Sequence, residues 1–327
     1  MTDAKPKVLY FNHAGPDLYA LIRDKLADEF ELLTLTVGDE GERMALLAET
    51  DAVIVGGHKL ERHHVDHARR LRFVQHQGVG YHDTVPVEAL RNRQIALAIA
   101  PGGAAIGVAD HAILLMLATC KRLPYLDSEL RQGRWRSNDL RMESRQLTGM
   151  TVGIIGLGRI GKAVAQRLTA FETTTLYHDI LEMPADIEAR LRVERTDFAD
   201  LIARSDLITL HVPLTEDTHH MVNTDVLSAM IPGAILINCA RGPVVEEAAL
   251  LAALKRGHLG GAGLDVFEVE PPAQPTPFAD FHNVVLTPHM APGTREGMAA
   301  KMVDVCANID RFFRGQALVD AVRLADD

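Results

Sequence analysis

The feature that most constrains this chain is the run Gly156-Leu157-Gly158-Arg159-Ile160-Gly161. Mostly small or apolar residues, 150–155, lead into it, and the helix-compatible run 162–168 follows. Strand, glycine turn and helix in that order form the setting in which Gly-x-Gly-x-x-Gly receives a dinucleotide. The first glycine allows a tight turn, the second lets backbone approach a pyrophosphate, and the third lets helix and strand pack closely. The helix N-terminus then offers free N–H groups and the positive end of its dipole to the phosphates. A second apolar run, Thr175-Leu176-Tyr177, ends at His178-Asp179. A carboxylate at Asp179 suits the two hydroxyls of an adenosine ribose and repels a 2′-phosphate. No Arg or Lys follows closely, so the reading is NAD rather than NADP.

At 327 residues the chain is long enough for about two domains. Lys plus Arg total 34 against 44 Asp plus Glu, a formal net charge of −10. That balance disfavours nonspecific nucleic-acid binding. The three cysteines, Cys120, Cys239 and Cys306, are far apart and odd in number. They show neither zinc spacing nor a disulfide framework, which fits a reducing, cytoplasmic setting. The short polar stretch 1–7 has no signal-peptide core, and the apolar stretch 112–120 is too short to span a bilayer. No membrane and no nucleic-acid partner is expected.

Strands are expected at residues 8–11, 32–37, 52–55, 72–76 and 95–98, with a helix at 18–30. Strands alternating with helical patterns imply parallel βαβ units. Pro101-Gly102-Gly103 then interrupts the chain, and a long apolar helix is expected over 106–122. A second α/β region begins at Thr151. Further strands are expected at 174–177, 207–212, 234–238, 261–264 and 284–287, with helices near 197–203 and 246–256. Residues 295–314 read as a helix, with Met298, Met302, Val305 and Ile309 at spacings of three and four. This helix is expected to return to the first domain. Two lobes joined by two chain crossings would leave a cleft, a preferred ligand location.

Polar residues stand at strand ends in the second domain, where α/β sheets bind ligands. Asn238-Cys239-Ala240-Arg241-Gly242 follows one strand, Asp265 another, and Thr287-Pro288-His289 closes the last; Phe267-Glu268-Val269-Glu270-Pro271 lies between. One Arg, one Glu and one His suit reduction of a 2-oxo acid. A guanidinium forks onto a carboxylate and polarises the neighbouring ketone. The alkoxide made by hydride addition needs a proton, which histidine can carry near neutral pH. A carboxylate beside the ring orients it and favours its charged form.

At these residues the chain resembles the D-isomer-specific 2-hydroxyacid dehydrogenase family. The matching segments are the glycine run, His211-Val212-Pro213-Leu214-Thr215 with Thr218 and Asn223, Asn238 to Gly242, Gly261-Ala262-Gly263-Leu264-Asp265-Val266-Phe267-Glu268, Glu270-Pro271 and Thr287-Pro288-His289. Gly78-Val79-Gly80-Tyr81 matches the family's substrate loop, and the likeness runs over about 72–315. The resemblance implies two Rossmann-like parallel-sheet α/β domains, the NAD-binding domain (104–290) inserted into a flavodoxin-like substrate domain (1–103 and 291–327). It implies Arg241 as substrate anchor, Glu270 as orienting carboxylate and His289 as acid/base. Gly156, Gly158, Arg159, Ile160 and Gly161 would meet the pyrophosphate. Asp179, Val212, Pro213 and Thr218 would lie along the adenosine half. Val108, Cys239, Ala240, Arg241, Asp265 and His289 would also bind the coenzyme, Asp265 holding the nicotinamide amide. Gly78, Val79 and Gly80, with Arg241 and His289, would bind a small 2-oxo or 2-hydroxy acid. No metal is expected, and a homodimer is.

Two positions depart from the pattern: Asp110 stands where the family usually shows Glu, and His82 precedes Asp83 in the substrate loop. Phosphoglycerate, hydroxypyruvate or glyoxylate, and D-lactate-like acids all remain open as substrates. Lys59 or Arg134 could take a second anionic group. Two rival functions share the fold. One is phosphite oxidation, although no Lys occurs in Gly78-Val79-Gly80-Tyr81. The other is an NAD(H)-sensing corepressor, which usually carries long disordered extensions. Cys239 reads as a small filler beside the cofactor. The segment holding His63, His64 and His67 reads as a solvated helix face.

Overall fold

The computed structural model describes residues 5–324. The chain divides into two compact units, one formed by the described residues up to Ala104 together with those from Thr294, the other by Ala105–Gly293.

The first unit carries five strands: β1 Lys7–Tyr10, β2 Glu31–Leu33, β3 Ala52–Val55, β4 Phe73–His76 and β5 Ala96–Ile99. Their order is β2-β1-β3-β4-β5, with parallel pairing throughout. β3 and β4 are buried along their whole length, as continuous apolar strands covered on both faces should be. The helix Arg295–Phe313 completes this core: Met302, Val305, Cys306 and Ile309 pack with Val8, Tyr10, Ile54 and Phe73. Sequence periodicity placed that helix correctly.

Three expectations shift. The helix expected at 18–30 is Pro16–Lys25; Pro16 suits a first-turn position, and the chain turns extended at Leu26. The strand expected at 32–37 pairs only over Glu31–Leu33. Beyond it the backbone N–H groups of Thr36, Val37 and Gly38 donate to the Glu42 carboxylate, at 2.7, 2.9 and 2.7 Å, and so leave the ladder. The helix Arg62–His67 is not solvated all round. His63 and His67 are exposed, but His64 is buried against Phe11. Glu61 N–H donates to His64 Nδ1 at 2.9 Å, which leaves Nε2 as the protonated nitrogen, 2.7 Å from Glu40 Oε1. His63 Nε2 lies 2.9 Å from the same oxygen. These three groups could surround a metal ion by position. Ligation through His64 Nε2 would force the proton onto Nδ1 and break the helix cap, so the arrangement is that of a cap rather than a metal centre.

The second unit has seven strands: β6 Thr151–Ile155, β7 Thr174–His178, β8 Val193–Arg195, β9 Leu207–Leu210, β10 Ile235–Asn238, β11 Gly261–Leu264 and β12 Val284–Leu286. All pairs are parallel, in the order β12-β11-β10-β9-β6-β7-β8. Chain order reverses at β6, so the turn after β6 lies at the topological switch point. The helix Ala104–Lys121 is 18 residues long and, by length and composition alone, could cross a membrane. It is longer than the apolar stretch 112–120 suggests. Val108, Ala109, Ala112, Leu115 and Met116 are buried with β6 and β10 residues, so it is a core helix of this unit.

Candidate functional site

The coenzyme turn is built as its glycines require. Gly156 has φ +91°, and a Cβ there would lie 2.7 Å from His211 O. A Cβ on Gly161 would fall 2.1 Å from Gly156 O, so only glycine lets the helix Arg159–Leu168 pack against the turn. Gly158 differs. It is the N-cap of that helix, makes no side-chain cap, and a Cβ on it would meet nothing within 4 Å. The open cradle at Gly158, above a ten-residue helix with uncapped first-turn amides, fits a dinucleotide pyrophosphate. Asp179 follows β7, where its Oδ2 accepts from Leu157 N–H at 2.6 Å and its Oδ1 from Leu181 N–H at 2.9 Å. The Asp179 carboxylate is thereby fixed to the glycine turn itself.

Beyond β9, Thr218 holds its own turn: its hydroxyl donates to Pro213 O at 2.7 Å and accepts from Thr215 N–H at 2.8 Å. His211 lies at the end of β9 beside Gly156. Burial pushes its ring down to about 3, and its Nδ1 has no partner among the described residues. A ring held neutral over the whole working range cannot serve as a proton donor.

Arg241, Asp265 and His289 come from one sheet edge. Asn238 pairs with Leu264 and Leu264 with Leu286, so the three residues leave neighbouring strands just past their carboxyl ends. The Asn238 side chain brackets the Arg241 turn, accepting from Ala240 N–H at 3.0 Å and donating to Arg241 O at 2.9 Å. Cys239 is buried, and burial, with Asp265 nearby, pushes its thiol up, so it is a neutral filler. Gly242 touches the next loop so closely that a Cβ would lie 1.8 Å from Phe267 O.

Asp265 is fully buried. Its Oδ1 accepts from the Thr287 hydroxyl at 2.6 Å and Met290 N–H at 2.8 Å, and its Oδ2 from Ala291 N–H at 2.8 Å. His111 Nε2 lies 2.9 Å from the same Thr287 hydroxyl. The carboxylate thus shapes the loop that carries His289, whose φ of +53° is unusual for a side-chain-bearing residue. His289 Nδ1 lies 2.7 Å from Glu270 Oε2, while Glu270 Oε1 accepts from Phe267 N–H at 3.0 Å. Burial pushes the Glu270 carboxyl up. The hydrogen bond and charge of His289, the Phe267 N–H and the charge of Arg241 outweigh it and hold the carboxyl below its usual range. Glu270 is therefore ionised and engages Nδ1, which leaves Nε2 to exchange a proton.

The remaining sequence candidates take these places. Val108 is buried in the helix Ala104–Lys121. Gly78, Val79 and Gly80 follow β4 in the first unit, where buried His76 Nδ1 accepts from Gly78 N–H at 3.0 Å. His76 Nε2 lies 3.0 Å from the Thr84 hydroxyl, which donates to Gly80 O at 3.0 Å. Lys59 is exposed after β3. Arg134, a candidate for holding a second anion, shares the Glu129 carboxylate with Arg136. The pair holds Glu129 down at about 2. Sequence reasoning gave no role to Asn238, His111, His220 or Glu268; the partner of His111 lies 176 residues away and His220 and Glu268 lie 48 apart, beyond any local pattern, whereas Asn238 bonds within its own turn.

A glycine turn at the switch point of a parallel sheet, with a His hydrogen-bonded to a carboxylate at the same edge, defines a dinucleotide-binding α/β protein. Its family follows from likenesses in sequence and in structure. The family model for the D-isomer specific 2-hydroxyacid dehydrogenase NAD-binding domain matches residues 113–291. The chain is 36% identical over 275 residues to D-3-phosphoglycerate dehydrogenase of Archaeoglobus fulgidus, covering 84% of this chain and 51% of that one. It is 39% identical over 251 residues to glyoxylate reductase of Korarchaeum cryptofilum, covering 76% and 75%. A crystal structure of a Thermus thermophilus protein superposes with a TM-score of 0.85 at 30% identity, covering 97% of this chain and all of that one. The chain belongs to the D-isomer specific 2-hydroxyacid dehydrogenase family, and the second unit is its NAD-binding domain. It spans about half the length of the D-3-phosphoglycerate dehydrogenases it matches.

Proposed function

We propose that this protein is an NAD-dependent dehydrogenase that interconverts a small 2-oxo acid and the corresponding D-2-hydroxy acid. The observation that carries the reading is the His289–Glu270 pair, an oriented proton carrier on the sheet edge that also presents Arg241. When bound, the nicotinamide supplies or accepts the hydride. Arg241 anchors the substrate carboxylate and polarises its ketone. In reduction, His289 delivers its Nε2 proton to the alkoxide oxygen, and Glu270 stabilises the imidazolium that precedes this. In oxidation, neutral Nε2 takes the hydroxyl proton. Val79 and Gly80 would hold the carboxylate through backbone N–H groups, the Gly78 N–H being engaged by His76, and Arg159, Ile160, Val212, Pro213, Thr218, Cys239 and Ala240 would line the coenzyme.

The relatives named as acting on phosphoglycerate and glyoxylate bracket the range of candidate substrates. The commitment of Arg134 to Glu129 favours an acid without a second anionic group bound there. Two further readings complete the proposal. The protein is cytoplasmic, which its three buried free cysteines support. It is a homodimer, supported by the exposed apolar side chains Ile106, Leu114, Leu123, Leu130, Trp135 and Met142.

The test is oxidation of NADH, followed at 340 nm, with a panel of glyoxylate, hydroxypyruvate, pyruvate and phosphohydroxypyruvate. We expect steady turnover with at least one of them. In Arg241→Ala, kcat/KM should fall by roughly 10²-fold or more while NADH binding persists. Tight NADH binding with no turnover on any acid would instead support a coenzyme-sensing protein.

A further inference from the structure

We propose that His220 is a positioning residue that clasps the loop carrying Arg241 to the loop carrying Glu270, and so sets the geometry of proton transfer. The inference rests on the dehydrogenase reading and assigns a residue that reading does not use.

His220 reaches both loops from one place. Its backbone N–H donates to Pro243 O at 2.8 Å, two residues beyond Arg241. Its ring Nε2 lies 2.5 Å from Glu268 Oε1, two residues before Glu270. Such a separation fits a charge-assisted hydrogen bond, the stronger kind. The backbone on either side is fixed. Val222 N–H donates to Val244 O at 3.1 Å and Glu246 N–H to Val222 O at 3.0 Å, a short parallel bridge binding this segment to the Arg241 turn. Glu268 N–H donates to Glu247 Oε2 at 3.2 Å, so the far loop is held at a second point.

The conformation of His220 is also unusual. Its φ is +50°, a region that residues with side chains enter rarely, histidine more readily than most. The left-handed turn lets the backbone serve one loop while the ring serves the other. The two loops are in backbone contact at Gly242 and Phe267, so a displacement of one moves its neighbour. Glu270 Oε1 is tied to Phe267 N–H within the same loop, and its other oxygen orients His289. A chain of contacts therefore leads from His220 through Glu268 and Phe267 to the acid/base ring. It begins two residues from Thr218, in the turn expected to lie along the coenzyme. Ion pairs as exposed as this one add little to stability, about 0–1 kcal/mol. The pairing is better explained by aim, since small errors of placement are costly in catalysis.

Three variants separate aim from folding. Asn tolerates a positive φ but is too short for Glu268; Gln retains a donor at greater reach; Glu268→Gln removes the charge from the other side. We expect H220N and E268Q to lower kcat by roughly tenfold, with KM for NADH and for the acid within about twofold of wild type. H220Q should recover much of the loss, and the double variant H220N/E268Q should be no worse than either single one. Hydrogen exchange gives a readout independent of turnover: amides of residues 267–271 should exchange faster in H220N while those of β6 and β9 do not change. Wild-type kcat in H220N, or unchanged protection of residues 267–271, would overturn the inference. Turnover failing in the wild type itself would fall on the dehydrogenase reading, and the exchange result would still decide the clasp.

Discussion

At Gly161 and Gly158 one added methyl group should have opposite effects. A Cβ on Gly161 would sit 2.1 Å from a backbone oxygen that cannot yield without moving the helix Arg159–Leu168. Gly161→Ala should therefore lower the thermal midpoint, by an overpacking cost of about 1–3 kcal/mol, and weaken NADH binding as well. At Gly158 the space is open, so Gly158→Ala should leave the midpoint unchanged and weaken only NADH binding. Thermal unfolding with NADH fluorescence titration checks both; equal behaviour of the two variants would contradict the cradle. At this scale the sequence was legible where chemistry forces a residue type. The placement of the glycine turn, Asp179, Arg241 and His289 at strand ends could be read in advance, with Glu270 in the loop between, because the roles proposed for them admit few side chains. The His220–Glu268 contact could not, because a histidine and a glutamate 48 residues apart carry no pattern. Asp265 shows a further limit: its strand-end position was legible, but its grip on residues 287–291 depends on burial that only packing supplies.

Among the elements, the helix Arg62–His67 should respond most clearly to acid. Burial pushes the His64 ring down, partly offset by Glu40. A histidine held below its ordinary value of 6.5 contributes stability that is complete above that pH and is lost as pH falls through the window beneath it. Protonation would also remove the acceptor for Glu61 N–H. The wild-type thermal midpoint should therefore drop more steeply than that of His64→Gln as pH falls below 6.5. Parallel curves would show that the cap does not titrate as described. Elements followed sequence periodicity well in the interior of each sheet, where strands are continuous apolar runs. They followed it poorly at edges, since β2 stops where Glu42 takes its N–H groups and three-residue β8 gave no signal.

For the whole molecule, the exposed apolar residues between Ile106 and Met142 predict assembly. Sedimentation should report twice the 35.8 kDa of one chain at micromolar concentration, and the pair Leu114→Lys and Leu130→Lys should shift it toward the single chain. A single-chain mass for the wild type would remove the dimer proposal. Domain-scale order was legible in the sequence because strands alternate with helices on both sides of Pro101-Gly102-Gly103, and because Met298, Met302, Val305 and Ile309 mark one helix face. The return of that helix has a consequence in time. On the ribosome the strands β1–β5 emerge without the apolar surface that covers Val8, Tyr10 and Phe73, because Met302, Val305 and Ile309 lie beyond the inserted unit in the chain. The inserted unit is complete by Gly293 and can close its core while the earlier sheet still waits. Order in the chain and order of core closure are therefore reversed: the sheet that comes earlier is covered by residues that follow the whole inserted unit.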